Sequence, residues 1–75
     1  MTKREIDLHG MNPAQAKKCL DSFISSLPKG ECELSVIHGY NRGNALKKML
    51  SVYKHKRAVK KYSELNPGVT TIIIK

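Results

Sequence analysis

Long apolar runs are missing from this sequence: none approaches the roughly 18 residues a bilayer-spanning helix requires. The opening Met1-Thr2-Lys3-Arg4-Glu5 also lacks the apolar core of a signal peptide. A soluble, intracellular and cytoplasmic protein is expected, with no membrane partner. Cysteine is scarce, and Cys19 and Cys32 lack the close spacing of a zinc or redox pair, so both are read as reduced structural thiols. Repeats, linkers and low-complexity segments are absent. The chain has only 75 residues, with no Trp, one Phe and three Tyr. A domain of that size buries only about 60% of the surface its unfolded chain exposes. Residues 1–75 therefore read as one small domain without a large enclosed cavity, and any active site would lie on a surface or a rim.

Acidic residues are scarce in one half of the chain. Through Asn41, five bases and five acids balance; from Arg42 onward nine bases face Glu64 alone, so the whole net charge of +8 sits there. A one-sided basic field attracts polyanions, of which nucleic acid is the commonest. A solvated lysine face serving only solubility is the bland alternative.

Glu5 to Leu8 alternates like a half-buried strand, with Ile6 and Leu8 on one side and Asp7 and His9 on the other. Asn12-Pro13-Ala14-Gln15 then starts a helix: an Asn cap, Pro where its missing N–H costs nothing, and Gln three residues after the cap. Ala16, Leu20, Phe23, Ile24 and Leu27 form its apolar stripe, and Pro28-Lys29-Gly30 stops it. Cys32 to Ile37 reads as a second strand ending in His38-Gly39. A second helix follows the Tyr40–Asn44 loop, with Leu46, Met49, Leu50 and Tyr53 on its stripe. Val59 to Tyr62 is a short third strand, Asn66-Pro67-Gly68 a turn, and Val69 to Ile74 a strong fourth strand. The unalternating Ile72-Ile73-Ile74 places that strand centrally or covers it on both sides. Strand, helix, strand, helix, strand, strand is a two-layer α/β arrangement.

Two strands joined by a helical crossover run parallel, and ligands collect at the carboxyl ends of such strands beside the helix N-termini. If the first two strands are neighbours, Asp7, His9 and His38 converge on one rim. The helix starts near Asn12 and Gly43 would add unpaired N–H groups that favour phosphate.

These residues also carry a resemblance. Ile6-Asp7-Leu8-His9-Gly10 resembles the LDLHG motif of the small MutS-related (Smr) domain. His38-Gly39 with Arg42-Gly43 and Leu46-Lys47 resembles that family's HGxGxG motif and the Leu-Arg after it. Gly68-Val69-Thr70 through Ile74 resembles its closing glycine-then-Ala-Thr segment. The chain departs from the pattern at Asn41, which stands where the middle glycine is expected, in an extra residue between Gly43 and Leu46, and in Pro67-Gly68 for a double glycine. The resemblance implies an α+β two-layer sandwich like the C-terminal domain of translation initiation factor three. In that fold two helices pack on one face of a four-stranded mixed sheet. It also implies nucleic-acid binding and endonuclease activity on DNA or RNA, with Asp7 and His9 as catalytic candidates and His38, Gly39, Tyr40, Asn41, Arg42 and Gly43 as the contact loop.

On chemistry, His9 suits a general acid or base, with Asp7 orienting it or acting directly. Arg42 and the N–H groups around Gly39 and Gly43 would hold the phosphate, with Lys47 and Lys48, and also Lys60 and Lys61, as backbone contacts. Metal-assisted hydrolysis wants several oxygen ligands, and the rim offers Asp7 alone. RNA, whose own 2′-OH can attack, is therefore favoured over DNA; no cofactor is expected, and a divalent metal is left open. A monomer acting on RNA or DNA is expected, with the ribosome as a further candidate partner. The competing readings are a non-catalytic RNA-, DNA- or ribosome-binding module of the same fold, and a protein-interaction domain whose basic face meets an acidic protein. For single residues the alternatives are a turn-capping Asp7, a loop-stabilising His38 and a Tyr40 ring folded over the rim. His55, within Lys54-His55-Lys56-Arg57, is read as basic surface.

Overall fold

A computed structural model of the chain describes residues 2–39, 45–63 and 65–75. In chain order the elements are β1 (Thr2–Asp7), α1 (Pro13–Ser26), β2 (Cys32–Ile37), α2 (Ala45–Val52), β3 (Ala58–Ser63) and β4 (Val69–Ile74). They form one mixed four-stranded sheet in the order β1-β2-β4-β3. The α1 crossover makes β1 and β2 parallel, with Asp7 opposite Ile37; β4 runs antiparallel to both β2 and β3.

Both helices cover the same face. Ile6, Leu34, Val36, Ile72 and Ile74 from the sheet join Leu8 and then Ala16, Leu20, Ile24, Leu46 and Leu50 from the helices in a single core. Phe23, Leu27 and Met49 pack at its margin, and Tyr53 is buried just past the end of α2. Helix α1 starts as its sequence dictates: Gln15 N–H donates to Asn12 Oδ1 at 2.8 Å, and the Asn12 N–H donates to Gln15 Oε1 at 3.2 Å.

Both ends of the first and third strands differ from the sequence expectation. Strand β1 begins at Thr2 because it pairs with β2 over its whole length, while its exposed first half shows no hydrophobic alternation to announce it. It ends at Asp7, with Leu8 already in the turn. Strand β3 extends to Ala58–Ser63, and the register shift between Ala58 and Lys60 breaks the alternation that would reveal it. Central placement of β4 explains the isoleucine run: Ile72 and Ile74 are fully buried under the helices, and Ile73 is half-buried on the opposite face.

Two bases of the cationic second half turn inward as helix caps. Arg57 donates from Nη1 to the carbonyls of Ile24 and Leu27 (both 2.8 Å), from Nη2 to Pro28 (2.8 Å) and from Nε to Lys75 (2.7 Å). Lys61 Nζ donates to the carbonyls of Leu50, Ser51 and Tyr53 at 2.9, 3.2 and 2.6 Å. These orphan carbonyls are the negative ends of α1 and α2, and a cation is their natural partner. His55 is half-buried beside them: its Nδ1 accepts the Arg57 N–H at 3.1 Å, and its Nε2 lies 3.5 Å from Ser25 Oγ.

Candidate functional site

Parallel pairing brings the carboxyl ends of β1 and β2 to one rim, and the antiparallel neighbours add the start of β4 and the end of β3. The Leu8 N–H donates to Ile37 O at 2.7 Å, which ties the first His-Gly corner to the end of β2. The chain then reverses: Met11 N–H donates to Leu8 O at 3.1 Å, with Gly10 at a φ of 84°.

Asp7 and His9 meet at this corner. Asp7 Oδ1 accepts the His9 backbone N–H at 3.1 Å and lies 2.5 Å from His9 Nδ1. Opposed to a carboxylate, Nδ1 is the proton donor, so in the neutral ring the lone pair is on Nε2. Both side chains are accessible, His9 at 70% and Asp7 at 50%. The His9 ring contact, followed by the His9 N–H, draws the Asp7 carboxyl below its ordinary value of 3.8, so it remains the ionised partner. The pair is thus an oriented, exposed imidazole that can take or give a proton.

The second corner lies against the first. A β-carbon placed on Gly39, whose φ is 73°, would stand 3.5 Å from His9 Cβ. His38 itself points inward and is only 5% exposed. Its Nδ1 lies 2.9 Å from Gly39 O and its Nε2 2.9 Å from Thr70 Oγ1. A carbonyl can only accept, so Nδ1 donates to it, and in the neutral ring Nε2 accepts the Thr70 hydroxyl. That geometry is the loop-stabilising alternative for His38. The Gly39 N–H, expected to face phosphate, is turned to Gly68 O at 3.1 Å, and the His38 N–H shares the same acceptor at 2.8 Å. Asn66 Oδ1 in turn accepts the Gly68 N–H at 2.9 Å. Sequence reasoning read Asn66-Pro67-Gly68 as a turn but missed its role as a clamp on His38-Gly39. Its only signal is a Gly-Val-Thr run whose contact with β2 depends on β4 sitting beside it.

Lys47 and Lys48 are exposed on the first turn of α2. Tyr40, Asn41, Arg42 and Gly43, expected to contact phosphate, lie outside the described residues. Among the described residues no group of three or more His, Cys, Asp or Glu is placed to hold a metal ion, and no helix is long and apolar enough to cross a membrane. Cys32 is buried in the core and Cys19 is half-buried, both as free thiols.

No curated protein and no solved structure matches the chain significantly. The family model described as "Smr domain" matches residues 6–74, a span running from the Asp7-His9 corner through the buried His38 to the end of β4. With nearly its whole length so matched, and with the expected two helices on a four-stranded mixed sheet, the chain belongs to the Smr domain family of nucleic-acid-binding, nuclease-related modules.

Proposed function

We propose that this Smr domain is an endonuclease that cleaves phosphodiester bonds, RNA in preference to DNA, with His9 moving the proton and Asp7 orienting His9. The observation that carries the reading is the 2.5 Å contact between Asp7 Oδ1 and His9 Nδ1 on an open rim, which leaves Nε2 free. In the proposed reaction His9 Nε2 takes the proton of a ribose 2′-OH, and the freed oxygen attacks the adjacent phosphorus. The bond from phosphorus to the 5′-oxygen breaks, giving a 2′,3′-cyclic phosphate. The departing oxygen takes a proton from the imidazolium or from solvent, so charge and protons balance. RNA is preferred because it carries this nucleophile itself, while among the described residues Asp7 is the one carboxylate at the Asp7-His9 corner available to hold an activating metal.

Cleavage of labelled single-stranded RNA, duplex RNA and supercoiled plasmid, with and without EDTA, tests the reading. His9→Ala should lose about 10²–10⁴-fold in rate, the range of a lost acid–base catalyst. Asp7→Asn should lose much of that as well, because an amide can hold the opposite tautomer. Cleavage of RNA should survive EDTA. A parent protein that shifts RNA in a gel but cuts none of the three substrates would overturn catalysis and leave a binding module.

A further inference from the structure

The cations of this domain are not all equivalent. On the β1 side, Lys3 lies 3.8 Å from Glu33, and on α1 Lys17 lies 3.3 Å from Asp21. Arg4, Lys18 and Lys29 on that side have no ion pair among the described residues, but acids stand among them; the opposite flank, between α2 and the edge strand β3, carries no acid in its described residues 45–63. Two surface grooves run along it: Lys47, Ser51, Lys61 and Tyr62 line the first, and Lys54, Val59, Lys60 and Lys61 line the second. Among the described residues no acid lines either groove, and Lys47, Lys54 and Lys60 have no ion-pair partner. Lys61 joins the two grooves and spends its three protons on the carbonyls at the end of α2, which ties β3 to that helix.

This flank also carries exposed apolar surface. Val59 is 52% and Tyr62 45% exposed. Tyr62 is the register partner of Thr71 and Lys60 of Ile73, so the two side chains share the sheet face that no helix covers. Two positions along a strand are about 7 Å apart. An aromatic ring and an unpaired ammonium on one face, with further unpaired ammoniums around the strand edge, match a chain that offers bases and phosphates in alternation. A duplex keeps its base faces stacked on each other, so an exposed ring gains nothing from it; a single strand presents them. The C-terminal end of β3 reaches the Asp7-His9 rim, three strand spacings or about 14 Å across the sheet.

We infer that the outer flank of α2 and β3 is a docking track for single-stranded RNA, with Lys47, Lys54 and Lys60 holding phosphates and Tyr62 stacking on a base. The inference rests on the nucleic-acid reading above and not on catalysis. A 2′-O-methyl oligouridylate of about ten nucleotides, which has no attacking hydroxyl, tests binding alone by fluorescence anisotropy. Tyr62→Ala and Tyr62→Leu should each weaken it about 5- to 150-fold, the range for one lost base stack. Tyr62→Phe should bind like the parent. On an abasic oligomer of the same length all four proteins should bind equally. Lys54→Gln with Lys60→Gln should flatten the dependence of log Kd on log salt by about 1.4, from 0.7 per lost contact.

Unchanged affinity in Tyr62→Leu, or an equal loss on the abasic oligomer, overturns the track. So does oligoglutamate displacing the RNA as efficiently as unlabelled RNA does, since the flank would then be an acidic-protein surface. A parent that binds through Tyr62 yet cuts no RNA overturns the nuclease reading and leaves the track standing; cleavage that depends on His9 with affinity indifferent to Tyr62 does the reverse.

Discussion

Replacing Arg57 with Ala removes a clamp on four carbonyls: Ile24, Leu27 and Pro28 at the end of α1, and Lys75 at the end of the chain. The bonds to Pro28 and Lys75 are exposed, and water can replace them at little cost. Those to Ile24 and Leu27 are partly buried. A charged donor contributes about 1.5–3 kcal/mol per bond where solvent is excluded, and at half exposure the low end applies. Two such bonds and about 0.5 kcal/mol from the helix dipole come to about 3.5 kcal/mol. A domain of this length is stable by only about 4–11 kcal/mol, so the loss is a large fraction. With a urea dependence of about 1 kcal/mol per molar, the midpoint should fall by about 3.5 M. Arg57→Lys keeps the charge but not the fork, and should lose about half as much. Because the guanidinium is occupied, Arg57→Lys should leave RNA affinity within about twofold. A midpoint shift below about 0.5 M in Arg57→Ala, or a marked loss of RNA affinity in the folded Lys variant, would refute the assignment of Arg57 to structure.

Gly39→Ala should cost about 1–2 kcal/mol, because φ at 73° is left-handed and a β-carbon there meets nothing closer than His9 Cβ at 3.5 Å. The cause is backbone strain and not a clash, so Gly39→Asn should recover part of it. Thermal melting reads this at roughly 4–8 °C per kcal/mol, and equal melting of Ala and Gly would contradict it. The bond from Tyr53 Oη to Asp21 joins the two helices. It is the chief cause holding the Asp21 carboxyl below 3.8, while burial foremost pushes the Tyr53 hydroxyl up from 10.0. The Asp21 contribution is therefore full above pH 3.8 and fades as pH falls through the lower folded value; the Tyr53 contribution fades as pH rises above 10.0. Tyr53→Phe should be about 1 kcal/mol less stable than the parent at neutral pH. That deficit should shrink at both extremes, and urea midpoints showing it constant from about pH 2 to 11 would reject the pairing.

The legible parts of this protein were those whose cause lies within a few residues along the chain. Asn12, Pro13 and Gln15 specify the start of α1 through bonds spanning three residues, and the alternation of Cys32–Ile37 marks β2. The Asp7-His9 pair is equally local, since strand, turn and a two-residue spacing suffice to bring the carboxylate to Nδ1. Net charge could be counted and split, which is enough to expect a polyanion partner.

Only the tertiary structure decided what the individual cations and imidazoles do. In the sequence Arg57, Lys61 and His55 are members of one basic stretch. Arg57 reaches helix carbonyls 29 to 33 residues away, and Lys61 ones 8 to 11 residues away. His38 finds Thr70 across 32 residues because β4 is inserted between β2 and β3. Hydrophobic periodicity reports which face of an element is buried, but it is silent on which strand lies next to which. Strand order determines which orphan carbonyl meets which cation, and so which charges remain for a ligand.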